Sequence, residues 1–524
     1  MIRNGIILIV SLMVWSFSYG QKFSIKHQKK YEDATYYFEL TDYVSAYEIY
    51  VKLHKIERDH AEMNYRMGVC VMRLGGDLSE AAFHFSEAAS QDYGDAFFQL
   101  AQCYHRMEDF KNAIRNYQYY KEVGLDGDAD LEEVNRQIDI SSRAMQMLQN
   151  PVGVRIENVG EGINSEYADY VPVISKNDSI MLFTSRREGS TGGEKDPYNN
   201  YFEDIYFSYS DHGEWQKAQN LGGQINTKTH DASVGLSPDG KTLIMFRTNE
   251  ELTGGDLYFS TFKNTNWQTP KKLGENINSE YAEASASITS DGNVMYFSSN
   301  RPGGYGGQDI YRSVLFANGD WSLPTNLGPI VNSKYDDDAP FISSDGNTLY
   351  FSSKGHGTIG GFDIFKVELG EDAKLWLLPQ NLGYPINTVH DDIYFVMTED
   401  EKTGYYSSSK EGGYGSQDIY RINLVDQNKL VVILKGEILA EDGDHKIPVK
   451  VKITVINEDK NLVQGVYKSN AKPGKFLMAL QPYVNYKFVV SKKGYQTVDQ
   501  NLFYPADENF TEFDKKIVLK KSTD

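Results

Sequence analysis

Five times in this chain a Gly-rich or polar turn runs into Asp, an apolar residue and an aromatic one: Asp204-Ile205-Tyr206, Asp256-Leu257-Tyr258, Asp309-Ile310-Tyr311, Asp363-Ile364-Phe365 and Asp418-Ile419-Tyr420. Successive copies lie 52, 53, 54 and 55 residues apart. Other residues keep step: Trp215, Trp267, Trp321 and Trp376, then the Leu-Gly pairs at 221, 273, 327 and 382, then Asn226, Asn278, Asn332 and Asn387. A period near 50 demands a supersecondary unit that cannot bury its apolar face alone and must pack on its neighbours. One unit reads as four strands. Pro340–Ser343 is followed by the turn Ser344-Asp345-Gly346-Asn347, then Thr348–Ser353 in two-residue alternation, Asp363–Glu368, and Trp376–Leu382. Four strands per repeat is the signature of a β-propeller blade.

The last repeat lacks its Trp-Leu-Gly strand. Arg155–Gly160 followed by Ile163-Asn164 matches the missing element, so the segment preceding the first repeat is expected to complete the last blade and remove the open edges. Five blades result, with an irregular sixth as the alternative. The units resemble the PD40 class of WD40-like propellers of bacterial envelope proteins, in motifs such as Ser237-Pro238-Asp239-Gly240 and Arg301–Tyr311. Sialidase Asp boxes place a residue between Asp and Gly. Here Gly follows directly at Asp239-Gly240, Asp291-Gly292 and Asp345-Gly346, and these read as plain turns.

Upstream the period changes. Tyr37–Tyr50, Met67–Cys70 leading to Ala81, and Leu100–Tyr104 leading to Ala113 and Tyr117 align at about 34 residues. Small residues recur where paired helices must approach, at Gly68 and Ala101 and again at Ala46, Ala81 and Ala113. This resembles the tetratricopeptide repeat. The two cysteines, Cys70 and Cys103, fall at equivalent positions of adjacent repeats and read as buried packing thiols rather than a disulfide framework. Asp126–Glu133 has the look of a calcium loop, but Leu131 stands where Gly is required and Gln137 where Glu is required. A helix capped by Asp128 or Asp130 fits better. It would run to Met147, close the solenoid, and stop at Asn150-Pro151.

Downstream, Lys429–Leu439, Val449–Asn457, Lys475–Leu480, Asn485–Ser491 and Lys515–Leu519 read as short strands between turns, which suggests a β-sandwich. Lys435-Gly436-Glu437-Ile438, Pro473-Gly474-Lys475-Phe476 and Gly494-Tyr495 resemble the carboxypeptidase regulatory-like domain, a resemblance that implies a spacer or docking module. The expected fold class is thus multidomain α + β: a TPR-like α-solenoid over 22–149, a five-bladed β-propeller over 152–425 and a C-terminal β-sandwich over 430–522.

Arg3, the apolar run Ile6–Trp15 and the small residues before Gln21 read as a secretory signal over residues 1–20. The apolar run is too short to span a bilayer, and Gln21 in place of Cys leaves out the lipid-anchored form. The expectation is an exported, periplasmic protein. A net charge of -20 sets nucleic-acid partners aside.

No nucleophile elbow, His-Glu-x-x-His or phosphate loop occurs, and ten histidines are scattered without metal spacing. The chain is therefore read as non-enzymatic, with no cofactor and no metal. One constellation remains. An acidic residue precedes each innermost strand: Asp169, Asp231, Glu283, Asp337 and Asp392, with Asp336, Asp338 and Asp391 beside them. These carboxylates are expected to ring one mouth of the central channel, as a surface for a cation or a basic partner segment. The other reading is that each bonds turn amides within its own blade.

The order solenoid, PD40 propeller, regulatory-like sandwich resembles PorE-like periplasmic proteins of the Bacteroidota, associated with type IX secretion and gliding. That resemblance implies a scaffold working with an outer-membrane protein at the periplasmic face of the outer membrane. The OmpA-like C-terminal domain of that family has no counterpart before Asp524, so peptidoglycan anchoring is not carried over. The competing reading is a glycan-binding or glycan-processing propeller.

Overall fold

The computed structural model of the chain describes residues 25–123, 129–175, 178–196, 199–211, 213–237, 239–370, 375–424, 431–443, 445–458, 462–470, 474–482, 484–504 and 510–522. The signal-like segment and the stretch Asp126–Asp128 lie outside the described residues. The chain divides into two compact units. One holds the residues up to Tyr104 together with Arg115–Val134; the other holds His105–Ile114 and everything from Asn135 onward.

Seven helices form among the described residues: α1 (Ile25–Glu39), α2 (Tyr43–His54), α3 (Ala61–Arg73), α4 (Leu78–Ala89), α5 (Gly94–Arg106), α6 (Phe110–Val123) and α7 (Leu131–Leu148). They follow the TPR-like pairing that the small-residue pattern predicts. Ala46, Ala81, Ala101 and Ala113 have no solvent exposure. At Gly68 a Cβ would fall 2.7 Å from the Phe85 ring, which is why the position tolerates no side chain. Carboxylates cap the helix starts: Asp42 accepts from the Ser45 amide, Asp77 from that of Ser79 and Asp130 from that of Glu133. Cys70 and Cys103 are buried and unbridged. Burial pushes the Cys70 thiol up to about 12, so it packs as an inert group.

The β-rich unit begins with five antiparallel sheets in chain order. Their innermost strands are Asp169–Ile174, Asp231–Leu236, Ala286–Ile288, Asp337–Ile342 and Asp392–Met397. In the fourth sheet the second and third strands occupy Thr348–Ser353 and Asp363–Glu368, the spans that alternation predicts. The outermost element is shorter than expected: only Gln380–Asn381 pairs as a strand, with an isolated bridge from Leu369 to Trp376. The fifth sheet is completed from far upstream, as Arg155–Asn158 pairs antiparallel with Asp418–Asn423. Each innermost strand lies beside that of the next sheet, and the fifth lies beside the first, so the contacts close into a cycle.

Beyond Val431 two four-stranded sheets share one core. The first joins Val431–Asp442 to His445–Pro448, Lys475–Leu480 and, in parallel, Phe510–Leu519. The second orders Leu462–Lys468, Lys452–Asn457, Asn485–Ser491 and Val498–Phe503. Leu434, Phe476 and Ile517 from one meet Ile453, Phe488 and Leu502 from the other.

The helix expected to close the solenoid is shared: its start, Leu131–Val134, belongs with the helical unit. From Asn135 on, α7 belongs with the β-rich unit. Arg136 donates to the Lys354 carbonyl (2.6 Å) and stacks over the Tyr335 ring, and Arg143 donates to the Thr358 carbonyl (3.2 Å). The His105 Nε2 lies 3.0 Å from the Ile359 carbonyl and its Nδ1 2.9 Å from the Ser141 hydroxyl. Burial lowers this imidazole to about 4, so a neutral ring donates from Nε2 and accepts at Nδ1. Phe110, Ala144, Ile359 and Val389 complete the contact.

Candidate functional site

The site is built from the repeat itself. The Asn that recurs after Leu-Gly lies buried against the preceding sheet. Asn226 accepts from the Ile205 amide through Oδ1 and donates to the Ile205 carbonyl through Nδ2, both at 2.9 Å. Asn278 makes the same pair with Leu257, Asn332 with Ile310, and Asn387 with Ile364. Asn164 makes it with Ile419, 255 residues away. A side-chain amide presents a donor and an acceptor at the spacing of one peptide group, so it continues strand pairing where the strand itself has ended. The motif Asp beside it fastens the Gly-rich turn: Asp309 accepts from the Tyr305 and Gly306 amides and Asp418 from those of Tyr414 and Gly415. A Cβ at Gly415 would stand 1.7 Å from the Tyr167 carbonyl oxygen, so the seam between the last and first sheets closes only over glycine.

The five acidic residues do not form an exposed surface. Asp169, Asp231, Glu283, Asp337 and Asp392 all have zero solvent exposure. Each carboxylate folds back onto the amide four residues earlier, at Ser165, Thr227, Ser279, Ser333 and Thr388, with distances of 2.5–2.9 Å. Of the two readings of these acids, the bonding to turn amides is the one seen, in place of a partner or cation surface: the turn before each inner strand needs an acceptor for its amide, and the acid supplies it. Their neighbours are engaged as well. Asp336 takes the Lys354 ammonium, Asp338 the Ser285 hydroxyl and Asp391 the Phe362 amide.

Three of the acids also meet an arginine from the end of the second strand of their own sheet. Arg187 reaches Asp169 at 2.5 Å, Arg247 reaches Asp231 at 2.5 Å and Arg301 reaches Glu283 at 3.0 Å. The same guanidinium groups donate to the carbonyls of Ile163, Ile225 and Ile277. They also lie over the rings of Tyr206, Tyr258 and Tyr311. Sheets four and five depart from this. His356 donates to the Val331 carbonyl (2.8 Å) and stays 3.6 Å from Asp337. Lys410 sits 3.7 Å above the Tyr420 ring and donates to the Tyr406 hydroxyl. One oxygen of Asp337 and one of Asp392 are left buried without a hydrogen bond. Burial then raises both carboxyls to about 7, and Asp363, next to Asp392, to about 8. Lys410 is lowered to about 8 by the same desolvation. The recurring base was legible in the repeat, since Arg187, Arg301, His356 and Lys410 each follow Ser185, Ser299, Ser353 or Ser408 within three residues.

What lies at the centre instead is an apolar cavity of about 220 Å³, walled by all five inner strands. Val173, Leu236, Ile288, Phe341 and Val396 line it, while Glu399 and Glu401 stand at its mouth. The inner strands of sheets one, two, four and five carry β-bulges, and three of these hold a strained residue. Within them Val171, Ala339 and Tyr394 hold φ of 51, 51 and 61°. Such angles are costly for residues other than glycine. The bulges turn runs of consecutive residues toward the cavity, where strict alternation would have offered every second one. The turns at Asp239, Asp291 and Asp345 are plain turns, as their Asp-Gly order implies: each Asp accepts from a Ser or Thr hydroxyl two residues before, and Asp400, followed by Glu401, does the same.

No family model matches the chain, and no curated protein matches it. Partial likeness to solved structures exists. The first TPR of Spaghetti (RPAP3), bound to the HSP90 peptide SRMEEVD, is 17% identical over 24% of this chain and 96% of its own, with a TM-score of 0.22. The TPR2B domain of yeast Sti1 in complex with pHsp70 is 14% identical over 23% of this chain and 98% of its own, with a TM-score of 0.21. An α-L-arabinofuranosidase from Lactobacillus brevis is 12% identical over 50% of this chain and 92% of its own, with a TM-score of 0.35.

Proposed function

We propose that this chain is an exported, non-enzymatic scaffold: a TPR-like arm, a five-bladed β-propeller and a β-sandwich, working in the periplasm beside an outer-membrane protein, in the manner of PorE-like components of type IX secretion. The propeller reading is supported by the cyclic contact of five inner strands and by the Asn164–Ile419 clasp at the seam. The observation that carries the non-enzymatic reading is the fate of the acids. A glycan-cleaving propeller needs two carboxylates presented to a substrate; here all five are covered and bonded to turn amides. Partner binding falls to the helical unit. Its pocket of Tyr65, Asp95, Phe98, Gln99, Gln102 and Tyr120 combines aromatic walls with polar groups, the composition of a recognition surface.

The test is affinity capture of partners from an envelope fraction with the full chain, followed by mass spectrometry. Point variants are preferable to removing residues 22–149, because that deletion strips His105, Phe110 and α7 from the β-rich unit. The expected result is a discrete membrane-protein partner that is lost with Gln99→Arg/Gln102→Arg. Turnover of a glycan by the purified chain, lost on Glu283→Gln, would overturn the proposal.

A further inference from the structure

The cavity at the centre of the five sheets is preformed and apolar, and its charge is one-sided. Among its lining residues are two carboxylates, Glu399 and Glu401, both solvent-exposed, and no Lys, Arg or His. The hairpin turns that continue from the inner strands extend this bias outward. Asp239, Asp291, Asp345 and Asp400 lie in four of them, against Lys241 and Lys402 among the described residues of those four turns. The volume of about 220 Å³ exceeds the roughly 150 Å³ at which an apolar protein cavity stays dry and accepts benzene. A carboxylate rim around a low-dielectric cleft concentrates positive charge.

We infer that this cavity receives one large apolar side chain, Phe or Leu in size, from a basic segment of a partner polypeptide. Two features select a polypeptide over a small molecule. The acidic groups are spread over four separate turns, a wider footprint than the cavity itself, and the mouth between them carries the exposed side chain of Ser344, suited to backbone contacts. The inference rests on the protein-binding reading above but uses a different surface. Burial of one such side chain is worth about 1.5–3 kcal/mol, which corresponds to a factor of roughly 10–150 in affinity.

The experiment is titration calorimetry of the full chain with three pentapeptides: Lys-Lys-Phe-Lys-Lys, Lys-Lys-Ser-Lys-Lys and Glu-Glu-Phe-Glu-Glu. The Phe peptide with lysines is expected to bind at least tenfold more tightly than either other peptide. Glu399→Gln/Glu401→Gln, a change confined to exposed residues, should weaken it several-fold and flatten its salt dependence. Ala286→Leu, which fills the cavity from its wall, should abolish the Phe–Ser difference while leaving the weak Lys-driven binding. If that variant does not fold, competition of the Phe peptide by indole on the wild-type chain replaces it. Equal binding of the Phe and Ser peptides, or of the basic and acidic ones, overturns the inference. Indole binding without any preference among peptides also overturns it, in favour of a small-molecule pocket. Gln99→Arg/Gln102→Arg should leave all three titrations unchanged, so failure of the helical arm as a partner site and failure of the cavity are told apart.

Discussion

Replacing an acid of the buried belt by its neutral isostere should have opposite consequences in the first and fourth sheets, although Asp169 and Asp337 hold the same place in the repeat. Asp337→Asn keeps an oxygen for the Ser333 amide and removes a carboxyl whose folded value is about 7 against 3.8 in the unfolded chain. A raised acid contributes stability that is fully present below pH 3.8 and is lost as pH rises through 7. At 1.36 kcal/mol per unit, the loss in the wild type approaches about 4 kcal/mol by pH 8. Asp337→Asn escapes it, so its stability relative to wild type should climb by that order between pH 4 and 8. His356 at 3.6 Å is too far to hold the charge, and its own value is lowered by burial, while the nearby Asp309 adds to the raise. Asp169→Asn differs: burial raises that carboxyl as well, but the Arg187 guanidinium beside it opposes the rise. The substitution strands the guanidinium of Arg187, still fixed to the Ile163 carbonyl, without its counter-charge, at a cost of about 3–5 kcal/mol near neutrality. Urea unfolding followed by tryptophan fluorescence isolates the relevant unit, since Trp215, Trp267, Trp321 and Trp376 all lie in the five sheets and no tryptophan lies in residues 25–148. Equal destabilisation by both substitutions at pH 7.5, with no dependence on pH, would refute the reasoning and mean that Asp337 is held ionised.

Asn164→Ala removes both bonds of the seam clasp and leaves the Ile419 amide and carbonyl buried; a loss of about 2–4 kcal/mol, equal to that from Asn332→Ala, is expected in the same assay. An unaffected Asn164→Ala would show that the ring does not depend on that seam. Gly415→Ala meets the Tyr167 carbonyl and should yield a chain that no longer unfolds cooperatively, readable by near-UV circular dichroism. Expressed with its leader in a Gram-negative host, the protein should begin at Gln21 by intact mass, and a Met1 start would contradict export with cleavage. Glycan panels incubated with the purified chain should show no turnover.

Much of the fold is written locally. The strands Thr348–Ser353, Asp363–Glu368, Lys475–Leu480 and Asn485–Ser491 fall where alternation and turn residues place them, and Asp130 caps α7 as read. Three strands of the C-terminal region, His445–Pro448, Leu462–Lys468 and Val498–Phe503, escaped because their residues are largely exposed, so no alternation of buried apolar residues marks them. The acids were found by recurrence, and of the two readings given for them the bonding to turn amides is the one seen. Their partners lie four residues back and 16 to 19 residues ahead, and only the second of these crosses a strand pair.

Local pattern carries everything that a repeat encodes: the number of units, the residues that must recur, and the upstream segment that completes the last one. Those follow because turns, caps and strand alternation depend on neighbours within a few residues, and a conformational need repeated five times leaves the same residue five times. The tertiary structure alone decided what depends on closure. Burial turned a predicted ring of charges into internal clasps, because packing one sheet against the next removes the water those carboxylates would need. It left Asp337 and Asp392 under-partnered where His and Lys replace Arg. It drew the end of α7 to the β-rich unit through His105 and Ile359, residues 254 positions apart whose contact no local pattern specifies. It also opened a cavity where five inner strands converge, since the room left at the centre is set by how five sheets meet and by no single one of them.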